Sequence, residues 1–224
     1  MSRLAALARR AAFAVLMGLA AVPAWAQVNG LWSSSRGDYL LFLQDSASGT
    51  TFSIQVPAAL DAIKVWIGSG SPASVSLQGV LNPDDRLAAS VNGSAMSGSL
   101  TQAGAQSTFD ARLALGWVAS AHAGVWQKSA PANAYLVFCV LETGSGRIGL
   151  QVDVTLDPVT RTYRYDIYTG VLAGSTYTGA SLAGSGTTSR LVFGNGTLSG
   201  TQSTVQRPVQ STEYTATQIV GIGG

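Results

Sequence analysis

"YLLFLQDSASGTTFSIQV" spans residues 39–56, and "YLVFCVLETGSGRIGLQV" spans residues 135–152. Each opens on an unbroken apolar run and passes through residues typical of turns. An apolar run of this length, bounded by Gly and Ser, suits a strand buried on both faces. Thr51 to Val56 then alternates polar and apolar residues, as a strand with one wet face should. The return of the pattern 96 residues later makes a local hairpin signal a statement about the whole chain.

Other matches keep the same order around this pair. "NGLW" at 29–32 returns as "AGVW" at 123–126, and Leu60-Asp61 returns as Leu156-Asp157. "VWIG" at 65–68 meets "IYTG" at 167–170, and "QSTFDARLAL" at 106–115 meets "QSTEYTATQI" at 210–219. An internal repeat of this kind is read before anything else. It divides the chain into β-units at 27–118 and 119–224. Arg161 to Tyr168 alternates, with Tyr163, Tyr165 and Ile167 on one face and Arg164, Asp166 and Tyr168 on the other. Asn92-Gly93 and Asn195-Gly196 are strong hairpin signals. Helical periodicity is absent after residue 26. The expected fold is all-β, an antiparallel meander of about six strands per unit, forming a β-barrel or β-sandwich. Repeats with open edges must pair or close, and no Pro/Ser tract separates the units, so the two are expected to pack as one.

Residues 1–26 read as an export signal rather than as fold. Arg3, Arg9 and Arg10 precede the apolar run Ala11 to Val22, and Ala24-Trp25-Ala26 gives a small-x-small cleavage pattern. The run is shorter than the ~20 residues a membrane-spanning helix needs. The expected destination is the periplasm or the extracellular space, with the outer membrane as the alternative. Of 13 Lys and Arg, three lie in this segment, leaving ten against eleven acids. That balance gives no basic footprint for nucleic acid. Charged residues make up 11% of the chain, against about 25% in ordinary globular domains, and Gly, Ser, Thr and Ala fill the polar positions. Cys139 is the only cysteine, which rules out an intramolecular disulfide.

Gly30-Leu31-Trp32 and Gly124-Val125-Trp126 resemble the first strand of lipocalin-like and avidin-like barrels. That resemblance implies a Trp plugging one end of a barrel and a calyx for small ligands. With Gly196-Thr197-Leu198, the Gly-x-Trp openings are also similar to exported proteobacterial β-repeat proteins of unknown function, a likeness that implies no activity.

Residues for catalysis are sparse. His122 is the only histidine, with Asp110 as a nearby acid, and no Gly-x-Ser-x-Gly elbow frames a serine. One His and one Cys cannot supply a zinc tetrad, and no metal or cofactor is expected. Asp153 and Asp157 lie four apart, the spacing for a carboxylate pair on one strand face, although Asp157-Pro158 reads as a turn. Aromatics beside charges are the better signal for binding. Trp66 shares a face with Lys64, and Tyr168 shares one with Asp166 and Arg164. Trp66, Tyr168, Lys64 and Arg164 are therefore the candidate ligand residues, as platforms for a sugar ring or a small apolar molecule. Arg36-Gly37-Asp38, a tripeptide used by adhesins, falls in the variable hairpin between Gly-x-Trp and Tyr-Leu-x-Phe, where Gly and Asp are ordinary turn residues. The expected function is a non-catalytic exported binding or surface protein. An outer-membrane barrel and a secreted hydrolase are the alternatives.

Overall fold

The computed structural model describes residues 28–57, 62–157, 159–182, 186–205 and 209–222. The expected export signal and the Leu60-Asp61 match lie outside these residues. Sixteen strands and no helix are present among the described residues.

The first eight strands are β1 (Gly30–Ser34), β2 (Tyr39–Gln44), β3 (Thr50–Val56), β4 (Lys64–Ser71), β5 (Ser74–Gly79), β6 (Arg86–Asn92), β7 (Ala95–Gln102) and β8 (Ala105–Val118). Each pairs antiparallel with the next, and β1 pairs back onto β8, with Leu31 opposite Leu115, so the ring closes. The second eight are β9 (Gly124–Lys128), β10 (Ala134–Thr143), β11 (Gly146–Asp157), β12 (Thr162–Ala173), β13 (Thr176–Ser181), β14 (Thr187–Phe193), β15 (Thr197–Thr204) and β16 (Ser211–Gly221). Here β9 pairs with both β10 and β16, which closes a second ring. Val118, Trp117 and Gly116 of β8 pair with Val140, Leu141 and Glu142 of β10, joining the rings into one continuous sheet.

Eight strands per ring exceed the six expected from the sequence. Segments such as "SVSLQG" (β5) and "AMSGSLTQ" (β7) are rich in Ser, Gly and Ala, which are weak strand formers. Pairing on both sides holds them in the ladder. The Asn92-Gly93 signal falls in the β6–β7 turn, where Gly93 takes a φ of 60°.

Three apolar cores organise the molecule. Trp32, Leu40, Phe42, Trp66, Leu87 and Phe109 fill the first ring. Trp126, Leu136, Phe138, Tyr177, Leu191 and Phe193 fill much of the second. Between the rings, Leu41, Ile54 and Val65 pack with Val137, Cys139 and Val152. The unbroken apolar runs of β2 and β10 follow from this, because those strands have an interior on each side. The alternation in β3 has a different cause from the one expected. Phe52, Ile54 and Val56 enter the central core, while Thr51, Ser53 and Gln55 are equally buried inside the first ring. The polar face of β3 is therefore a barrel lining rather than a wet surface. On β5 and β6, by contrast, Ser74, Ser76, Gln78, Arg86, Ala88 and Ser90 face solvent, opposite a buried row that includes Leu77 and Leu87.

The ladders also fix which positions of the two rings correspond. Gln55 lies opposite Leu40 and Asp153 opposite Leu136, so Gln55 answers to Asp153, two residues beyond the direct sequence match. Phe109 lies opposite Gly98 and Tyr214 opposite Gly200, so the final strands match one residue away from the "QST" alignment. A one-residue slip exchanges faces. The sequence match would have set buried Phe109 against exposed Glu213.

Candidate functional site

The ladders place Trp66 opposite Ser53 and Tyr168 opposite Gln151, so these two aromatics occupy equivalent rungs. Both point into their rings, at 0% and 2% exposure. They are interior groups and not platforms on a solvent face. Lys64 sits at the mouth of the first ring with its Nζ 3.6 Å from the Asp85 carboxylate. Arg164 is exposed on β12; hydrogen bonds from Thr160 hold the nearby Asp157 carboxyl below its ordinary range, and the Arg164 charge adds a smaller share. The structure thus brings Trp66 and Lys64 to one place and leaves Arg164 at the surface.

The other candidate groups disperse. His122 stacks on Phe193, with ring centroids 4.7 Å apart, and Asp110 is exposed on β8. Asp157 accepts hydrogen bonds from the Val159 and Thr160 amides at a surface turn, while Asp153 is buried in the second ring. The two carboxylates do not face one cleft. Burial pushes the Cys139 thiol up to about 12. In the hairpin at 35–38, Arg36 donates to Ser107 of β8, and the Asp38 carboxylate accepts from Gln55 Nε2 at 2.7 Å.

What the sequence reading missed is a polar cluster inside the second ring. Asp153 Oδ2 lies 2.9 Å from Lys128 Nζ, and both side chains are nearly buried. Gln151 Nε2 donates to Asp153 Oδ1 at 2.9 Å, and Gln202 Nε2 donates to Oδ2. The Lys128 ammonium also sits 3.9 Å from the centroid of the Tyr214 ring, a cation–π contact. Around this pair, Trp126 Nε1 and the Tyr177 hydroxyl are buried without a hydrogen bond, and Ser189 and Gln151 lie against the buried Tyr214 hydroxyl. Burial raises the Tyr177 hydroxyl, and the Asp153 charge adds to the rise. Tyr214 is raised by the same two causes, opposed by nearby Ser189 and Gln151. Tyr168 is raised by burial and by Asp166, which accepts from Ser181 Oγ at 2.8 Å.

Glycines make room for these rings. A Cβ at Gly179 would lie 2.1 Å from the Tyr177 hydroxyl, and one at Gly200 would lie 2.3 Å from Cζ of Tyr214. Matched rung by rung, the first ring holds Val75 where the second has Tyr177, Leu87 for Ser189, Leu100 for Gln202 and Phe109 for Tyr214. Ser34 and Gln55 stand where the second ring has Lys128 and Asp153. The first ring thus has hydrocarbon at four of these positions and uncharged polar residues at two, where the second ring has hydrogen-bonding groups and an ion pair. Lys128 ends β9, and Ser189 and Gln202 lie within two residues of the ends of β14 and β15, all at the end carrying the 129–133, 158–161 and 205–210 connections. The cluster therefore belongs to one mouth of the second ring.

The signal for it was present in the sequence. Gln151 and Asp153 alternate with Leu150, Val152 and Val154 between two buried strands, and inward glycines at 149, 170, 179 and 200 leave space for large side chains. Among the described residues, no group of three or more His, Cys, Asp or Glu could hold a metal ion. Compared with known protein families and with curated proteins, the chain matches no family model and no curated protein.

Proposed function

We propose that this protein is an exported, non-catalytic binding protein whose second barrel takes a small polar ligand, such as a saccharide unit, at the mouth holding Lys128 and Asp153. One observation carries the reading: the Trp126 indole N–H and the Tyr177 hydroxyl are buried without hydrogen bonds beside a buried ion pair, and Tyr177, Ser189, Gln202 and Tyr214 stand where the first ring has Val75, Leu87, Leu100 and Phe109. A buried polar group costs free energy until something pairs with it, so the cluster favours a ligand with several donors and acceptors. The aromatic walls of Trp126, Tyr177 and Tyr214 suit the flat faces of a sugar ring.

Binding is favoured over hydrolysis because Asp153 is already neutralised by Lys128, His122 is stacked on Phe193, and Cys139 is sealed in the central core. The residues at 1–26 support export. The outward row of β5 and β6, which includes Ser76, Gln78 and Arg86, argues against a lipid-facing barrel, whose exterior needs an apolar band.

The test is tryptophan fluorescence against mono- and oligosaccharides, comparing the native chain with Ser189→Leu/Gln202→Leu, which installs the first ring's residues. A saturable response lost in the double variant, with the circular dichroism unchanged, is expected. An equal response in both proteins would remove the second barrel from the reading.

A further inference from the structure

A separate cavity of about 300 Å³ lies where the mouth of the first ring meets the second ring. Ile63, Lys64, Trp66 and Asp85 line it from the first ring, and Arg161 and Tyr163 from the second. Its volume is at the lower end of the range for small-molecule sites. Trp66 is fully buried, yet its indole Nε1 has no hydrogen-bond partner. An indole N–H only donates, so whatever satisfies it presents an acceptor. The Tyr163 hydroxyl is buried on the same wall, beside the Leu81 backbone.

Charge at the rim points the same way. Asp85 is committed elsewhere: its Oδ1 accepts from Asn82 Nδ2 at 2.9 Å and from the Ala103 amide at 3.1 Å, and its Oδ2 stands 3.6 Å from Lys64. Among the described residues Arg161 forms no salt bridge, and its backbone holds a φ of 51°, a conformation L-residues avoid. The lining thus combines one residue with a buried unpaired donor, two cations against one occupied carboxylate, and the apolar residues Ile63 and Val65.

We infer that this inter-ring cavity binds a small carboxylate with an apolar body, the carboxylate meeting the Trp66 indole N–H and the Arg161 guanidinium. A planar guanidinium pairs with a carboxylate through two parallel hydrogen bonds. The site is distinct from the polar mouth of the second ring, since the two share no residue.

The test uses the full chain with its tryptophans labelled with nitrogen-15, titrated with benzoate and, as a neutral match, benzyl alcohol. Benzoate should shift the Trp66 indole resonance saturably and leave that of Trp126 in place. The alcohol should bind at least tenfold more weakly. Arg161→Gly removes the guanidinium while suiting the left-handed backbone, and should weaken benzoate tenfold or more, with Lys64→Gln as a second variant. Ser189→Leu/Gln202→Leu should leave the benzoate response intact, which separates this site from the saccharide reading. A Trp66 resonance indifferent to benzoate, an equal response to the alcohol, or full affinity in both Arg161→Gly and Lys64→Gln would overturn the inference.

Discussion

Lys128 and Asp153 set the strongest constraint at the level of single residues. Removing one partner of a buried ion pair leaves an uncompensated charge, so Asp153→Ala is expected to cost about 3–5 kcal/mol in urea unfolding. Replacing both by the first ring's residues, Lys128→Ser with Asp153→Gln, should recover most of that loss. A double variant as unstable as the single would show that the second interior needs the charges themselves. Gly200→Ala forces a methyl group against the Tyr214 ring, and overpacking of this sort costs about 1–3 kcal/mol. Adding Tyr214→Leu should return part of it in the same measurement. The buried phenols define a pH window. Tyr163 is pushed up to about 12, and Tyr168, Tyr177 and Tyr214 are also raised, chiefly by burial. An unfolded Tyr ionises near pH 10, so the stability from neutral phenols is whole below about pH 10 and falls as the pH climbs through the folded values. Urea midpoints across that range should decline at alkaline pH, and Tyr177→Phe should flatten the decline.

At the level of strands, the sequence was legible where apolar runs and turns dominate and misleading where polarity did. β2 and β10 were readable as doubly buried because Tyr39 to Leu43 and Tyr135 to Leu141 contain no polar residue. Thr51, Ser53 and Gln55 looked like a wet face because periodicity reports that two faces differ, not what lies on each side. The same limit hid Gln151 and set Asp153 with Asp157 rather than with Lys128, and it led Trp66 and Tyr168 to be read as surface platforms when they line interiors. The slip between Phe109 and Tyr214 arose because "QST" repeats by identity, whereas the ladder places residues by inward or outward direction. Cys139 lies within the apolar run of β10 and packs in the central core, and a test follows from that place. The native thiol, fully buried and raised to about 12, should ignore a thiol reagent at pH 8 and react stoichiometrically once urea unfolds the chain. Rapid native labelling would contradict the central core.

For the whole molecule, the shared apolar core between the rings predicts that they unfold as one unit. Leu41, Ile54, Val137 and Val152 face the opposite ring, so separating the rings would expose a wide apolar wall on each. Fluorescence and far-ultraviolet circular dichroism should therefore report a single coincident unfolding transition. Ile54→Ala and Val152→Ala should each lower its midpoint, by about 2–5 and 1–3 kcal/mol respectively. Two separated transitions would mean that the rings stand alone.

Ring closure has a further consequence, for the order in which the chain acquires structure. Successive strands zip as hairpins between near neighbours, but β1 must wait for β8, about eighty residues downstream, before the first ring shuts. Contacts so distant in sequence are the slow ones to form. The first ring then stands with Leu41, Phe52 and Ile54 bare until β10 and β11 arrive. A chain emerging N-terminus first passes through a sticky half-built intermediate, and chaperone occupancy should peak after residue 118 has emerged and fall once β16 seals onto β9.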